Sequence, residues 1–287
     1  MRRCSRPPTR CSGESSRADR RSQLITIGKT GAVPEWSPIA TGESRAQVFR
    51  RDDGALIAKH VASGGVDDLL EERLRIEWLA GTGIPGPSVV DWSTSDAGAR
   101  LVMTTVPGVP ASELDSNTLL RAWPALVGML RRLHELPAAD CPFERTLGTM
   151  FRIAEDVVRR DAVIPDFLTE DQHGRPHTEL LADLRTQLDE RLAQESKDLV
   201  VCHGDACLPN FMVDPDTLTC TGLIDLGRLG TADRHADLSL LQANASETWE
   251  GDDEPRADRL LADLYGPERV DPDRMRFYLH LDPLTWS

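Results

Sequence analysis

The chain has 287 residues, 40% of them hydrophobic and 28% charged, which is typical of a globular protein long enough to form two lobes. No apolar run approaches the roughly 20 residues of a membrane span, and the N-terminus lacks the apolar centre of a signal peptide. The six Cys residues are unevenly spaced, which favours reduced thiols over a disulfide framework. We therefore expect a cytoplasmic protein without a membrane partner.

The net charge of −14 is unevenly distributed along the chain. Residues 1–22 contain seven Arg and two acidic residues, a net charge of +5, so the remainder carries −19. A body this acidic repels nucleic acid and suits a cationic small molecule, although acidity that only aids solubility explains the charge equally well. We expect residues 1–22 to be a disordered basic tail. No obligate protein partner is implied.

Residues 23–106 are predicted to form a small, β-rich lobe that binds nucleotide. Residues 41–50 are typical of a glycine-containing turn between two strands. Residues 69–80 have the apolar spacing of an amphipathic helix, which is predicted to end at Gly81. Further strands are predicted at residues 55–59, 89–92 and 101–104.

Residues 107–287 are predicted to form a larger, helical lobe, connected through a hinge at 107–110. Residues 137–177 have no clear period and predict short helices and loops, whereas residues 213–225 predict a hairpin. Helices are predicted at 119–134, 178–195, 237–248, 257–265 and 273–280. This order of elements predicts an α+β fold of the bilobal, protein-kinase-like type.

Two motifs carry the predicted chemistry. The sequence H-G-D ends at Asp205 and is followed by Asn210, and a D-L-G turn begins at Asp225. In protein kinases an Asp at the first position accepts the hydroxyl proton, while the Asn and the second Asp hold magnesium ions. Either motif alone could be a surface turn. Joined by a hairpin, they predict phosphoryl transfer, with Asp205 as the base and Asn210 and Asp225 as the metal ligands.

A nucleotide-binding pair is predicted before these motifs. Lys59 ends a strand of small apolar residues, as the phosphate-binding Lys of protein kinases does. Of the three acidic residues on the following helix, Glu72 is predicted to face inward and pair with Lys59, and Glu71 and Glu77 to face solvent. The turn that contains Ser44 could cap a phosphate, although it lacks a full glycine-rich pattern.

Two other motifs are set aside. Residues 28–30 resemble the end of a P-loop, but the required first glycine is Gln23. Cys202, His203 and Cys207 could suggest zinc, but a second ligand pair is missing.

Over residues 28–287 the chain resembles the aminoglycoside phosphotransferase family, which shares the protein-kinase-like fold. The family patterns are found at 72–79 (E-x-x-x-x-x-W-L), 203–210 (H-G-D-x-x-x-x-N), 225–228 (D-x-G-R) and 230–238 (G-x-A-D-x-x-x-D-L). The segments at 141–145, 213–215, 220–225 and 277–286 resemble those members that phosphorylate the 3''-hydroxyl of streptomycin. Residues 149–177 vary between members, and no role is carried across there.

The resemblance implies ATP and Mg²⁺ as cofactors and the cationic drug streptomycin as substrate. It also implies that backbone groups of Thr104 and Val106 bind adenine. Arg228, Asp233 and Asp282 are implied in substrate binding, since carboxylates pair well with guanidinium groups. Either Asp could equally be a helix cap or a surface charge.

Three alternatives stay open at this point. The acceptor could be another aminoglycoside hydroxyl, such as the 6-position of streptomycin, or a metabolite such as choline or homoserine. The chain could also be a kinase-shaped binding module without turnover, although such modules usually lose a catalytic residue. A protein kinase is disfavoured, because the H-R-D and A-P-E signatures are absent.

Overall fold

The computed structural model describes residues 35–39 and 46–287, and residues 34–287 belong to one compact unit. The basic tail at 1–22, the segment at 28–30 and the turn that carries Ser44 lie outside the described residues. The expectations for them stay predictions.

An antiparallel sheet of five strands opens the described chain, in the order β1-β2-β3-β5-β4. Strand β3 pairs with β5 along its whole length, from Leu56 opposite Thr104 to Ala62 opposite Gly98. This register sets Lys59 opposite Leu101, at the middle of the sheet. The strands are β1 (Trp36–Ile39), β2 (Gln47–Arg51), β3 (Leu56–Ala62), β4 (Val89–Ser95) and β5 (Gly98–Thr104).

Helix α1 (Val66–Leu79) follows β3 and packs against β4 and β5. Its buried residues recur at helical spacing on one face: Leu69, Glu72, Ile76 and Leu79. Glu72 is the one charged residue among them, and a carboxylate buried beside apolar side chains needs a cationic partner. The amphipathic pattern therefore turns Glu72 toward the sheet.

The rest of the described chain is mainly helical. Helix α2 (Ser116–His134) is central, and its side chains at Leu126, Leu130 and Leu133 are completely buried in the main core. Its first turn is capped by the Asp115 carboxylate, which accepts a hydrogen bond from the Thr118 amide at 2.9 Å. The other helices are α3 (Leu147–Arg159), α4 (His177–Arg185), α5 (Leu188–Asp198), α6 (Arg234–Ser246), α7 (Asp253–Tyr265) and α8 (Pro272–Leu281).

Two small sheets lie among these helices, and the H-G-D and D-L-G motifs lie in the connections between their strands. One pairs β7 with β10, and the other has the order β6-β8-β9. Their strands are β6 (Val109–Pro110), β7 (Leu199–Cys202), β8 (Phe211–Val213), β9 (Cys220–Leu223) and β10 (Gly230–Asp233). Of the helices in the described ranges, none is both long and apolar enough to cross a membrane.

The α+β fold class is confirmed: a strand-rich region with one helix precedes a helical region. The strands predicted at 55–59, 89–92 and 101–104 are present and somewhat longer. The hairpin at 213–225 is also present, as β8 and β9. The boundary between the two lobes at 106/107 stays a prediction.

The single helix predicted over 178–195 is wrong, because the chain forms α4 and α5 with a break between them. At the break the Thr186 hydroxyl donates to the Asp183 carbonyl at 2.6 Å, a local bond that competes with continuation of the helix. Helix α3 was also missed within residues 137–177. Its buried residues have clear helical spacing: Leu147, Met150, Phe151, Ala154, Val157 and Val158.

Gly108, in the hinge, should not tolerate a side chain, whereas Gly128 in α2 should accept one. Gly108 has a φ of +113°, and a Cβ added there would lie 2.4 Å from the Val213 carbonyl oxygen; a Cβ at Gly128 meets nothing within 4 Å. We expect Gly108→Ala to lower the free energy of unfolding by about 1–3 kcal/mol. Gly128→Ala should raise it by about 0.5–1 kcal/mol. Urea unfolding measures both, and equal stabilities would contradict the prediction.

Candidate active site

The β8–β9 hairpin brings the two predicted motifs together. A single helical turn (Leu208–Asn210) leads into β8, and Phe211 pairs with Leu223 at the base of the hairpin. Just beyond this pair the Ile224 amide donates to the Asn210 carbonyl at 3.0 Å. Asp225 follows immediately, so the hairpin holds it beside Asn210.

Asn210 is oriented by Asp205. Its side-chain amide nitrogen donates to the Asp205 carbonyl oxygen at 2.8 Å and to the Asp205 carboxylate at 3.0 Å. Because the Nδ2 hydrogens are directed at Asp205, the amide oxygen Oδ1 is left as the group that can face a cation. Asp205, Asn210 and Asp225 are thus brought together by short backbone and side-chain bonds.

Lys59 joins this group from the sheet. Its Nζ lies 2.6 Å from Glu72 Oε1 and 2.8 Å from Asp225 Oδ1. Glu72 is therefore the carboxylate of α1 that pairs with Lys59, while Glu71 and Glu77 pair with Arg75 and Arg73 on the same helix.

The pKa values of Lys59 and Asp225 follow from the charges of the triad that they form with Glu72. Burial alone would lower the pKa of Lys59, but attraction to the two carboxylates outweighs it and the pKa is raised. At Asp225, desolvation is outweighed by the Lys59 ammonium, so the pKa of this carboxyl is lowered. Lys59 therefore stays cationic and Asp225 stays ionised at neutral pH.

Asp205 has the opposite environment. Burial raises the pKa of its carboxyl, and the Asp282 carboxylate raises it further. A raised pKa makes the ionised carboxylate a better proton acceptor. Since a general base acts only when deprotonated, any activity that depends on Asp205 is lost as the pH falls through this raised pKa.

The loop that carries Asp205 is anchored to α6. The Asp237 carboxylate is completely buried and accepts hydrogen bonds from the backbone amides of His203 at 2.6 Å and Gly204 at 2.8 Å. Gly204 has a φ of +80°, and a Cβ there would lie 2.1 Å from the Arg228 carbonyl oxygen. Glycine is therefore required at the point where the loop passes the D-L-G-R turn.

Asp237 is in turn held by side chains from α2 and α7. His134 Nε2 lies 3.0 Å from the Asp237 carboxylate, and His134 Nδ1 lies 2.5 Å from the Tyr265 hydroxyl. Since a carboxylate only accepts, His134 Nε2 donates to Asp237, and Nδ1 is left for the bond with the Tyr265 hydroxyl. Sequence reasoning missed His134 and Tyr265, because they lie 103 and 28 residues away from Asp237 with no local signal.

Comparison with known proteins decides the family. The sequence profile of the Phosphotransferase enzyme family (APH) matches residues 35–278. The chain is 52% identical to streptomycin 3''-kinase of Streptomyces griseus, over 92% of this chain and 97% of the relative. It is 39% identical to an aminoglycoside 3'-phosphotransferase of Streptomyces fradiae, over 86% and 94%. The chain belongs to the aminoglycoside phosphotransferase family.

The structure of another aminoglycoside phosphotransferase, APH(3'')-Id from Streptomyces rimosus in complex with ADP and streptomycin, resembles this one. The TM-score is 0.82 at 51% identity, over 88% of this chain and 93% of the other. This likeness confirms that the present chain has the kinase-like fold of aminoglycoside phosphotransferases and that it is a phosphotransferase.

The residues predicted to bind adenine lie at the end of β5 and just beyond it. The Thr104 amide donates to the Ser88 carbonyl at 2.9 Å, so only the carbonyl of Thr104 is left for a nucleotide. The Ser88 amide donates to the Thr104 hydroxyl, also at 2.9 Å, rather than returning to that carbonyl. Val106 is buried beside Gly222 of β9. Their role in nucleotide binding by this aminoglycoside phosphotransferase stays a prediction.

Asp282 and Arg228 form a network at the C-terminus. Asp282 Oδ1 accepts from Arg145 and from Arg228, each at 3.2 Å, and Oδ2 accepts from Trp286 Nε1 at 2.9 Å. Arg228 also stacks over the Trp286 ring, 3.3 Å from its centroid, and donates to Thr285. Burial and the neighbouring Arg145 lower the pKa of Arg228 to about 10, so it remains charged at neutral pH.

These contacts bear on the predicted drug site. Asp282 is buried and its two oxygens already have three partners, so the geometry favours a role in holding Arg228 and the C-terminus over direct contact with a drug guanidinium. Sequence reasoning did not single out Arg145 or Trp286 as partners of Asp282, although both lie in segments that it noted.

The prediction that Asp233 binds substrate is corrected. Its side chain is completely buried, and it caps α6 by accepting from the His235 amide at 2.9 Å. It also forms ion pairs with His235 and with Arg274 of α8. A carboxylate enclosed in this way cannot reach a substrate, and the helix-cap alternative is the one observed.

The structure also disfavours zinc at Cys202, His203 and Cys207. Cys202 is completely buried and its thiol donates to the Asp233 carbonyl at 3.4 Å. His203 Nε2 lies 2.9 Å from the Ile224 carbonyl and Nδ1 accepts from the Asp205 amide, so both ring nitrogens are already used. Cys202 instead lies near His134 and Asp237, which are bonded to each other.

The hydrogen bond from Tyr265 to His134 can be tested against the second Tyr of the chain. Tyr278 is equally buried, and its hydroxyl forms no hydrogen bond of good geometry within the described residues, although the Asp233 carboxylate lies near it; burial, and then this carboxylate, raise the pKa of Tyr278. We expect Tyr265→Phe to cost about 1–2 kcal/mol of unfolding free energy, because His134 Nδ1 loses its hydrogen-bond partner, and Tyr278→Phe to cost less than about 0.5 kcal/mol. Urea unfolding compares them, and equal losses would remove the assigned bond.

Proposed function

We propose that this protein transfers the γ-phosphate of ATP to the 3''-hydroxyl of streptomycin and thereby inactivates the antibiotic. The observation that carries the proposal is the meeting of Asp205, Asn210 and Asp225 beside the Lys59–Glu72 pair. The 52% identity to streptomycin 3''-kinase supports streptomycin as the acceptor. Arg228 and Asp282 are proposed to shape the drug side of the site.

Each of these residues has a separate role in the proposed reaction. Asp205 takes the proton of the acceptor hydroxyl while that oxygen forms its bond to the γ-phosphorus and the bond to the departing ADP oxygen breaks. Lys59, held by Glu72, orients the α- and β-phosphates. Thr104 and Val106 bind adenine through backbone groups. This arrangement acts by positioning and charge, since phosphoryl transfer needs little covalent chemistry from the protein.

The donor atoms near Asp205 fit Mg²⁺. Asp225 offers carboxylate oxygens, half exposed to solvent, and Asn210 offers an amide oxygen, and these hard ligands suit a hard cation. When bound there, Mg²⁺ would neutralise charge on the phosphate oxygens. We propose that the reaction takes place in the cytoplasm, where ATP is available, and that the boundary between nucleotide and drug lobes lies at 106/107.

Purified protein with ATP and Mg²⁺ should phosphorylate streptomycin, and NMR of the product should locate the phosphate at the 3''-position. Asp205→Asn should lower kcat about 10²–10⁴-fold with little change in nucleotide affinity, because a general base acts mainly in the transition state. Asp216→Asn, in the exposed turn of the hairpin, is the matched control and should retain full rate.

Kanamycin and choline serve as competing acceptors in the same coupled assay. Turnover of kanamycin but not streptomycin would contradict the proposed substrate, and a phosphate at the 6-position of streptomycin would contradict the proposed regiochemistry.

The metal requirement can be measured separately. EDTA should abolish turnover and excess Mg²⁺ should restore it. Asp225→Asn keeps an acceptor for Lys59 but removes a charge, so the Mg²⁺ concentration for half-maximal rate should rise about tenfold or more. Asp91→Asn, on the edge strand β4, is the control. An unchanged Mg²⁺ dependence in Asp225→Asn would exclude this residue as a metal ligand.

A further inference from the structure

The segment at 141–145 lies between α1 and the C-terminal network, and its backbone is fixed by β10. The Thr231 amide donates to the Phe143 carbonyl at 2.9 Å, and the Arg145 amide donates to the Thr231 carbonyl at 3.0 Å. Glu144 forms a parallel bridge with Thr231. Two successive backbone bonds therefore hold the backbone on either side of Glu144, and with it the Cα of Phe143, against β10.

Phe143 supports two side chains of α1. The Arg75 guanidinium lies over its ring, 4.7 Å from the centroid. The Trp78 ring meets it edge to face at 6.2 Å, and Trp78 Nε1 donates to the Asp140 carbonyl at 3.0 Å. Such cation–π and aromatic contacts favour one relative position of the groups that make them.

Arg75 also reaches the turn that carries Asp225. Its Nε donates to the Leu229 carbonyl at 2.7 Å, and its Nη1 pairs with Glu71 at 2.6 Å. The Leu229 amide in turn donates to the Leu226 carbonyl. Leu229, whose carbonyl accepts from Arg75, is therefore bonded directly to the D-L-G-R turn that it follows. Arg75 thus ties α1 to the element that holds the metal-binding carboxylate.

One face of α1 carries three side chains at successive intervals of three residues: Glu72, Arg75 and Trp78. The first of them pairs with Lys59, and the other two rest on Phe143 and the D-L-G-R turn. Any rotation or translation of α1 that broke the contacts of Arg75 would also move Glu72 away from Lys59.

We propose that Arg75 and Phe143 are positioning residues that hold α1 where Glu72 meets Lys59. In protein kinases the Lys–Glu pair depends on the position of the corresponding helix. In this chain the contacts of α1 with Phe143, Asp140 and Leu229 fix that position. The inference rests on the proposed function for its kinetic readout, but nucleotide binding tests it without any acceptor.

Arg73 is the matched control on the same helix. Like Arg75 it forms an i,i+4 ion pair with a Glu, here Glu77, and lies over an aromatic ring, here Trp92 at 5.5 Å. Arg75 differs in its bond to Leu229 and in stacking on Phe143. Arg75→Met and Arg73→Met keep an unbranched apolar stem, so their comparison isolates those contacts.

Arg75→Met should raise the Kd of Mg·ATP and lower kcat/KM for ATP about tenfold, the effect of one charge-assisted hydrogen bond with a cation–π contact. Arg73→Met should change neither by more than about twofold. Phe143→Leu should behave like Arg75→Met, and Phe143→Tyr, which keeps the ring, should restore most of the loss.

A double-mutant cycle separates positioning from loss of stability. If Arg75 acts through Glu72, then Arg75→Met should add less than about twofold in a Glu72→Gln background, because the pair it positions is already lost. Full additivity, or equal effects of the two Arg variants, would overturn the proposal. Melting temperatures identify any variant that is partly unfolded at the assay temperature. A wild-type protein that binds Mg·ATP but does not phosphorylate streptomycin would refute the proposed function alone.

Discussion

The buried ammonium of Lys59 is the constraint on which the rest of this structure depends. A cation removed from water is tolerated only when carboxylates lie against it, and here Glu72 and Asp225 supply them from two other elements. The central strand β3, the inward face of α1 and the turn after β9 must therefore converge on one point. The sheet, the helix and the hairpin therefore pack around the Lys59 ammonium and its two carboxylates. In the proposed function the same ammonium binds the phosphates of ATP.

Two Asp residues near this point have opposite environments and correspondingly different uses. Asp237 is completely buried, yet its pKa is lowered, because hydrogen bonds from His134 and from the backbone outweigh desolvation. Its bonds hold the catalytic loop. Asp205 has a raised pKa, since burial and neighbouring carboxylates are less fully compensated. Anchoring needs a carboxylate that never takes a proton, and base catalysis needs one that can.

The local sequence was sufficient to predict a site residue where its partners are close along the chain. Asn210 and Asp225 are joined by a two-stranded hairpin that its turn residues predict. The inward orientation of Glu72 is predicted by the helical spacing of apolar residues. The local sequence was insufficient where partners are distant. Asp233 was misassigned because its partner Arg274 lies 41 residues later, on a helix whose position depends on the whole core. Asp282 has one local partner, Trp286, but its two Arg partners lie 137 and 54 residues earlier, and no periodicity in the sequence relates them to it.

The charges around the site explain why a cationic drug and an anionic nucleotide can share it. Glu72 and Asp225 lie against Lys59, and Asp282 accepts from both Arg145 and Arg228, so each carboxylate of these two clusters has a cationic partner. Most of the acidic residues behind the net charge of −14 therefore lie outside these two clusters. A chain with a net negative charge attracts a cationic acceptor at long range, and carboxylates that are paired with cations repel a phosphate less than unpaired ones would. Removal of Arg145 or Arg228 would leave Asp282 with one cationic partner fewer and would make this part of the site more negative.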